Sequence, residues 1–171
     1  MKKLTFPITD EAIAELEAGD MVLISGRILC GRDAVLPKVV ALIREGTLAE
    51  HGIDLQGSLI FHTAVSAAGV GPTSSNKAEI EGAIPVLSQN GVKMHLGKGE
   101  LRPETIAALD QYHSVYAVIP PVTALLGSRT HAQRVVAFPE DGMEALHELV
   151  VEDHPAVIAA AHGKSIYDRQ R

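Results

Sequence analysis

Residues 58–99 read SLIFHTAVSAAGVGPTSSNKAEIEGAIPVLSQNGVKMHLGKG, and within that stretch the pattern passes from strand to glycine-rich loop to helix and back to strand. The run Ser58-Leu59-Ile60-Phe61-His62 is apolar and rich in β-formers, which predicts a buried strand. Residues 66–76 carry Gly69, Gly71 and Pro72 and close on Thr73-Ser74-Ser75-Asn76, the composition of a loop that caps a helix. The helix is expected over 77–87, and Gly91 ends that unit. Val92-Lys93-Met94-His95-Leu96 then predicts a short strand before Gly97-Lys98-Gly99. Strand, crossover helix and strand in this order are the signature of a parallel α/β layer.

The same alternation extends outward. On the N-terminal side, Leu4-Thr5-Phe6-Pro7 begins as a strand and Thr9-Asp10 offers N-cap chemistry for a helix over 11–17. Met21-Val22-Leu23-Ile24-Ser25 is β-rich, turns at Gly26 and continues through Ile28-Leu29-Cys30. Gly31-Arg32-Asp33 enters a further helix, with Pro37 in its first turn and Val39, Val40, Leu42 and Ile43 on its buried face. On the C-terminal side, Pro103-Glu104 opens a helix reaching Tyr112, and residues 115–119 predict a strand. Glu148-Leu149-Val150-Val151, a turn at Glu152-Asp153-His154-Pro155, and Ala156-Val157-Ile158-Ala159 predict an antiparallel hairpin. A parallel layer with an antiparallel element makes a three-layer α/β domain the expectation. No repeat or linker divides it, so residues 1–171 are read as one domain.

Composition narrows the function classes. Of 171 residues 46% are hydrophobic and 21% charged, enough for a real core, and with 4% aromatics and no Trp that core must be aliphatic. A net charge of -6 argues against a general nucleic-acid coat. The single cysteine, Cys30, excludes an internal disulfide and a cysteine-rich zinc or iron–sulfur site built from this chain alone. Pro7, Asp10 and Glu11 interrupt any signal-like apolar region, and no window approaches a membrane span. With one cysteine, a reducing cytoplasm is the expected location. A mean hydropathy of +0.14 hints at apolar surface beyond the core.

Three loops each follow a strand and set cations or hydroxyls beside glycines: Ser25 to Asp33, Gly69 to Lys77, and Gly97-Lys98-Gly99. Carboxyl ends of parallel strands are where α/β proteins bind ligands, and glycine loops and helix N-termini favour anions. Arg32, Lys77 and Lys98 with Thr73, Ser74 and Ser75 therefore suit a small molecule with two anionic groups. The plainer readings are an N-cap at Thr73-Ser74-Ser75, a local Arg32-Asp33 ion pair and a solvated turn at Lys98. Gly97-Lys98-Gly99 is no Walker A loop, because Gly91 lies too far upstream and no Ser or Thr follows the lysine. Gly69 and Gly71 lack the third glycine and the acidic residue of a dinucleotide site. The histidines fall at no tight ligand spacing, and Cys30 reads as a small buried hydrophobe.

At these loops the chain resembles the β subunit, or C-terminal domain, of iron–sulfur-dependent class I fumarate hydratases and L-tartrate dehydratases. The residues that carry the likeness run in order: Leu16-Glu17-Ala18-Gly19-Asp20, Ile24-Ser25-Gly26, Gly31-Arg32-Asp33-Ala34, Gly71-Pro72-Thr73-Ser74, Gly97-Lys98-Gly99, Gly142-Met143-Glu144-Ala145 and Val151 to Ala156. The resemblance implies a fold, an activity and a role for each matching residue. The fold would be a swivelling β/β/α domain with mixed parallel and antiparallel strands. The activity would be reversible elimination of water from a 2-hydroxy dicarboxylate of the malate or tartrate type. A [4Fe–4S] cluster would sit on a cysteine-containing alpha subunit, with no metal ligand from this chain, in a hetero-oligomer or homodimer. Thr73, Arg32 and Asp33 would be catalytic, and Arg32, Thr73, Ser74, Lys77 and Lys98 would bind substrate. Threonine is a poor base alone, and Arg32 is the candidate neighbour to activate it.

The chain departs from the family pattern at three places. Val35-Leu36-Pro37-Lys38 replaces the usual Ala-His-Lys-Arg. Asn76-Lys77 replaces Gly-Arg, which keeps the charge and loses the bidentate fork. Pro120-Pro121-Val122-Thr123 replaces Gly-Gly-Ala-Ala, removing backbone donors. The alternative expectation is a non-catalytic carboxylate-binding or regulatory paralogue that kept the fold.

Overall fold

The computed structural model describes residues 1–66, 69–73, 77–119 and 130–168, and for 66, 69–73 and 77–80 the backbone course alone. The chain forms a mixed α/β structure. Strands β1 (Lys2–Phe6), β2 (Met21–Cys30), β3 (Ser58–Phe61), β6 (Val92–Gly97) and β7 (Val115–Val118) pair in parallel. Their connections hold helices α1 (Asp10–Ala14), α2 (Leu36–Glu45), α3 (Lys77–Gln89) and α4 (Pro103–Gln111). A short antiparallel pair, β4 (Thr63–Ser66) and β5 (Gly69–Thr73), stands between β3 and α3.

The organising element is β9 (Leu146–Ala161), 16 residues long. It runs antiparallel to β2 and to β7, so the pairings β2–β3–β6–β7–β9 close on themselves. Strands β8 (Thr130–Ala137) and β10 (Lys164–Ser165) add antiparallel to β9. Alternation then sorts the side chains. Leu59 and Phe61 join Ile24, Ile28, Met94, Leu96, Leu149 and Ile158 in one core drawn from every strand of the ring. Ile60 points the other way, to Val35, Val39 and Leu87 beneath α2 and α3. Both cores are built on aliphatic side chains.

Several sequence expectations need correction. Residues 148–159 are not a hairpin, because the Glu-Asp-His-Pro segment lies within the continuous strand β9. Ile24 pairs with His154 and Gly26 with Val151, so one β2 residue faces two on β9, a bulge absorbed by Asp153 at φ 49. Ser25 accepts the Asp153 backbone N–H at 2.9 Å and holds the bulge. Thr63–Ser66 and Gly69–Thr73 form the β4–β5 pair, which reaches into the 66–76 stretch expected as a loop, and α1 ends at Ala14 rather than at 17. Gly26 does not break β2. At φ 102, a Cβ there would collide with the Phe6 carbonyl oxygen, so only glycine lets β1 seat against β2. Strand β8 carries no signal in the sequence. Among the described residues, no helix is long and apolar enough to cross a membrane.

Candidate functional site

The parallel strands end together. Beyond their last residues the ladder continues with Gly31 N–H to Phe61 O and His62 N–H to Leu96 O, both 3.0 Å. Gly31, His62 and Gly97 therefore stand at the adjacent ends of β2, β3 and β6, and Arg32, Thr63 and Lys98 come next in the chain. Thr63 is buried and pairs in register with Thr73, so β4–β5 returns the backbone of Thr73 to the same end. Lys77 is the first residue of α3, which starts from that end. The fold thus brings the backbones at Arg32, Asp33, Thr73, Lys77 and Lys98 to one end of the sheet. Ser74 and residues 120–123 lie outside the described residues, as do the side chains of Thr73 and Lys77.

Local chemistry explains the loops. At Gly31 a Cβ would come within 2.7 Å of Val35 Cγ1, so glycine is what lets β2 run directly into α2. Arg32 Nε donates to Glu144 Oε1 at 2.6 Å. Glu144 ends the short helical segment Pro139–Glu144, and Lys38 of α2 holds the same segment through Asp141 at 2.7 Å. The Arg32 and Glu144 side chains are 28% and 36% exposed, so the pair is worth about 0–1 kcal/mol and serves mainly to aim the guanidinium. Gly97-Lys98-Gly99 is more than a solvated turn. Tyr116 Oη lies 3.3 Å from where a Gly97 Cβ would stand and donates to Gly99 O at 3.1 Å. Burial pushes the Tyr116 phenol above its usual range, so it remains a neutral donor. Lys98 itself is exposed.

Beneath this end runs a buried polar chain that sequence spacing does not reveal. His62 Nε2 lies 3.1 Å from His95 Nδ1, and His95 Nε2 lies 3.0 Å from Ser88 Oγ. Ser88 donates to Ser114 Oγ at 3.3 Å, and Ser114 donates to Val92 O at 3.1 Å. A carbonyl only accepts, so that last bond fixes every proton position. Ser114 gives its hydrogen to Val92, Ser88 gives its own to Ser114, and His95 must carry its proton on Nε2. His62 must then carry its proton on Nε2 as well. Its Nδ1 is left as a bare acceptor, enclosed and without a partner among the described residues. Burial holds the His62 pKa down to about 4, and burial with the neighbouring His62 holds His95 well below the usual imidazole value.

Cys30 ends β2 fully buried, and burial pushes its thiol above the ordinary range, the wrong state for a metal-binding thiolate. No group of three His, Cys, Asp or Glu side chains among the described residues is placed to hold a metal. With Cys30 the chain's single cysteine, the described residues do not offer the thiolate set of an iron–sulfur cluster. A cleft of about 340 Å³ lies at the opposite, amino end of the strands, lined by Asp10, Glu11, Ile13, Asp110, His113 and Ser114 among others.

Arginine, lysine and threonine positions are thus collected at the carboxyl ends of parallel strands, where α/β folds commonly take their ligands. The chain belongs to the fumarase C-terminus family, whose model matches residues 2–170. It is 32% identical over 183 residues to "Putative fumarate hydratase class I" of Geobacillus stearothermophilus, covering 96% of this chain and 33% of that protein. It is 28% identical over 181 residues to L(+)-tartrate dehydratase subunit beta of Escherichia coli, covering 97% of this chain and 87% of that subunit. The chain thus spans a third of the first relative's length and most of the second's.

Proposed function

We propose that this chain is the beta-type half of a hydro-lyase that reversibly eliminates water from a 2-hydroxy dicarboxylate. The observation that carries the reading is the family match from end to end, with the motif loops converging on one end of the sheet. In this reading the domain is a three-layer swivelling β/β/α unit that works with a cysteine-containing alpha subunit in the cytoplasm. That subunit holds the [4Fe–4S] cluster, which supplies Lewis acidity toward the departing hydroxyl.

The chain's own residues answer the other half of the chemistry. The hydrogen removed sits beside a carboxylate and is weakly acidic, so negative charge builds on that carboxylate in the transition state. Arg32 and Lys98, with Lys77, act as fixed cations for the two carboxylates, and a closed site makes each worth several kcal/mol. The Arg32–Glu144 bond aims one of them in advance, which removes reorganisation from the reaction. Thr73 and Ser74 supply hydroxyls at the reacting carbon, and Asp33 stands beside Arg32.

The test is anaerobic reconstitution with the alpha subunit, followed by assay of fumarate and tartrate-type substrates. Hydration that depends on both chains is the expected result. Absence of any turnover by an iron-loaded pair refutes the reading, and dicarboxylate binding by the isolated chain without turnover in the pair would identify a carboxylate-binding paralogue instead.

A further inference from the structure

Away from the carboxyl-end loops, the outer face of the sheet carries a second polar hollow. Ile28, Leu59 and Leu149 all join the inner core, so alternation turns their neighbours Arg27, Ser58 and Glu148 outward, to the α2 side. Register lines these residues up across four strands. Leu29 pairs with Ile60 of β3 on one flank and with Glu148 of β9 on the other, and Arg134 of β8 pairs with Glu148. With Asp54 and Gln56 from the segment before β3, they line a cavity of about 140 Å³.

The charges around it are sorted unevenly. Arg134 and Glu148 satisfy each other at two points, Nε to Oε1 at 3.1 Å and Nη2 to Oε2 at 3.4 Å. Asp54 is fixed by the Gln56 backbone N–H, which donates to its Oδ1 at 3.0 Å. Arg27 and Asp54 are both exposed, and neither has an ion-pair partner among the described residues. A cation and an anion thus face one cavity without meeting across it. The wall also holds Ser58, 7% exposed, whose Oγ is enclosed and unpartnered among the described residues. A buried hydroxyl without a partner is rare in folded proteins, and the cavity that Ser58 lines is where a partner can enter.

We propose that this cavity binds a small zwitterion of the α-amino-acid type. Its carboxylate takes the guanidinium of Arg27, whose planar fork matches two carboxylate oxygens, with the Ser58 hydroxyl as a further donor. Its ammonium takes the Asp54 carboxylate. The Arg134–Glu148 pair lines the same cavity and adds no net charge. A simple anion gains Arg27 but is set against Asp54, and a simple cation meets the reverse. The arrangement therefore favours a molecule that carries both signs a few bonds apart. This site stands apart from the loops of Arg32 and Lys98 and does not depend on the hydro-lyase reading.

Titration calorimetry on the full chain tests the assignment with glycine and L-serine as probes, against acetate and methylammonium at equal ionic strength. Glycine and serine are expected to bind with Kd of about 1 mM or below, and acetate and methylammonium about tenfold more weakly or worse. Arg27→Gln and Asp54→Asn, both at exposed positions, should each weaken glycine binding about tenfold, and Ser58→Ala about threefold. On the wild-type chain the Gln56 and Ser58 amide resonances should move with the same Kd. Acetate binding as tightly as glycine would identify a plain anion pocket and overturn the zwitterion assignment. Wild-type affinity in Arg27→Gln or Asp54→Asn, unmoved Gln56 and Ser58 resonances, or no binding of either probe at about 50 mM overturns it equally.

Discussion

At the carboxyl ends of β2, β3 and β6 the chain sets Arg32 and Lys98 on glycine-bearing loops, whereas at the amino ends it sets Asp10, Glu11 and Asp110 around an open cleft. The acidic end holds a cleft of about 340 Å³, and the cations lie at the other. The cleft reflects how α1 and α4 pack, while the cations at the other end follow from strand direction and loop charge. The buried chain from His62 through His95 and Ser88 to Ser114 joins the two ends, since Ser114 also lines the cleft.

The contrast breaks most sharply under substitution of cations. Arg32→Ala in the reconstituted enzyme should cost about 10²–10³-fold in kcat/KM, measured on fumarate hydration. Acid should strike next, through the polar chain. His62 is held neutral down to about pH 4 in the fold but titrates near 6.5 once unfolded. The unfolded chain therefore binds protons first as the pH drops. This stability is whole above about pH 6.5 and is lost toward pH 4, on the order of 3 kcal/mol, read as a falling urea midpoint. His62→Gln should flatten that pH dependence. Tyr116→Phe removes the hydrogen bond to Gly99 and should cost about 1 kcal/mol in urea unfolding, with a raised KM because Lys98 sits in the loosened loop. Asp110→Asn, at the acidic end, should leave kcat/KM unchanged, and a loss there comparable to Arg32→Ala would erase the distinction between the ends.

How much of the molecule was legible in the sequence depended on whether side chains were sorted by local rules. The parallel strands and the loops after them were readable because apolar runs stop at glycine and cations follow, as at Cys30-Gly31-Arg32 and Leu96-Gly97-Lys98. Strand β8 was not, because Thr130 to Val136 is largely exposed and shows no alternation to read. The β4–β5 pair hid in a Gly- and Ser-rich stretch that looks like loop. In β9 a turn-like Glu152-Asp153-His154-Pro155 became a bulge because β2 and β8 pair with the strand just before it and β2 and β7 with the strand just after. Within the site, the cations of Arg32 and Lys98 were evident from spacing. The partnership of His62 with His95, 33 residues apart, depended on the register of β3 against β6.

Strand β9 carries one more consequence, for the order of events during synthesis. It closes the circle of pairings between β2 and β7, yet it spans residues 146–161 and leaves the ribosome after every other strand of that circle. Until it emerges, β2 lacks an entire flank and the apolar residues facing Leu149 and Ile158 have nothing to pack against. The nascent chain must then wait with exposed strand edges, a state open to chaperone capture and to misassociation. Closure of the ring should therefore wait on this one late strand, whatever the earlier strands have already formed.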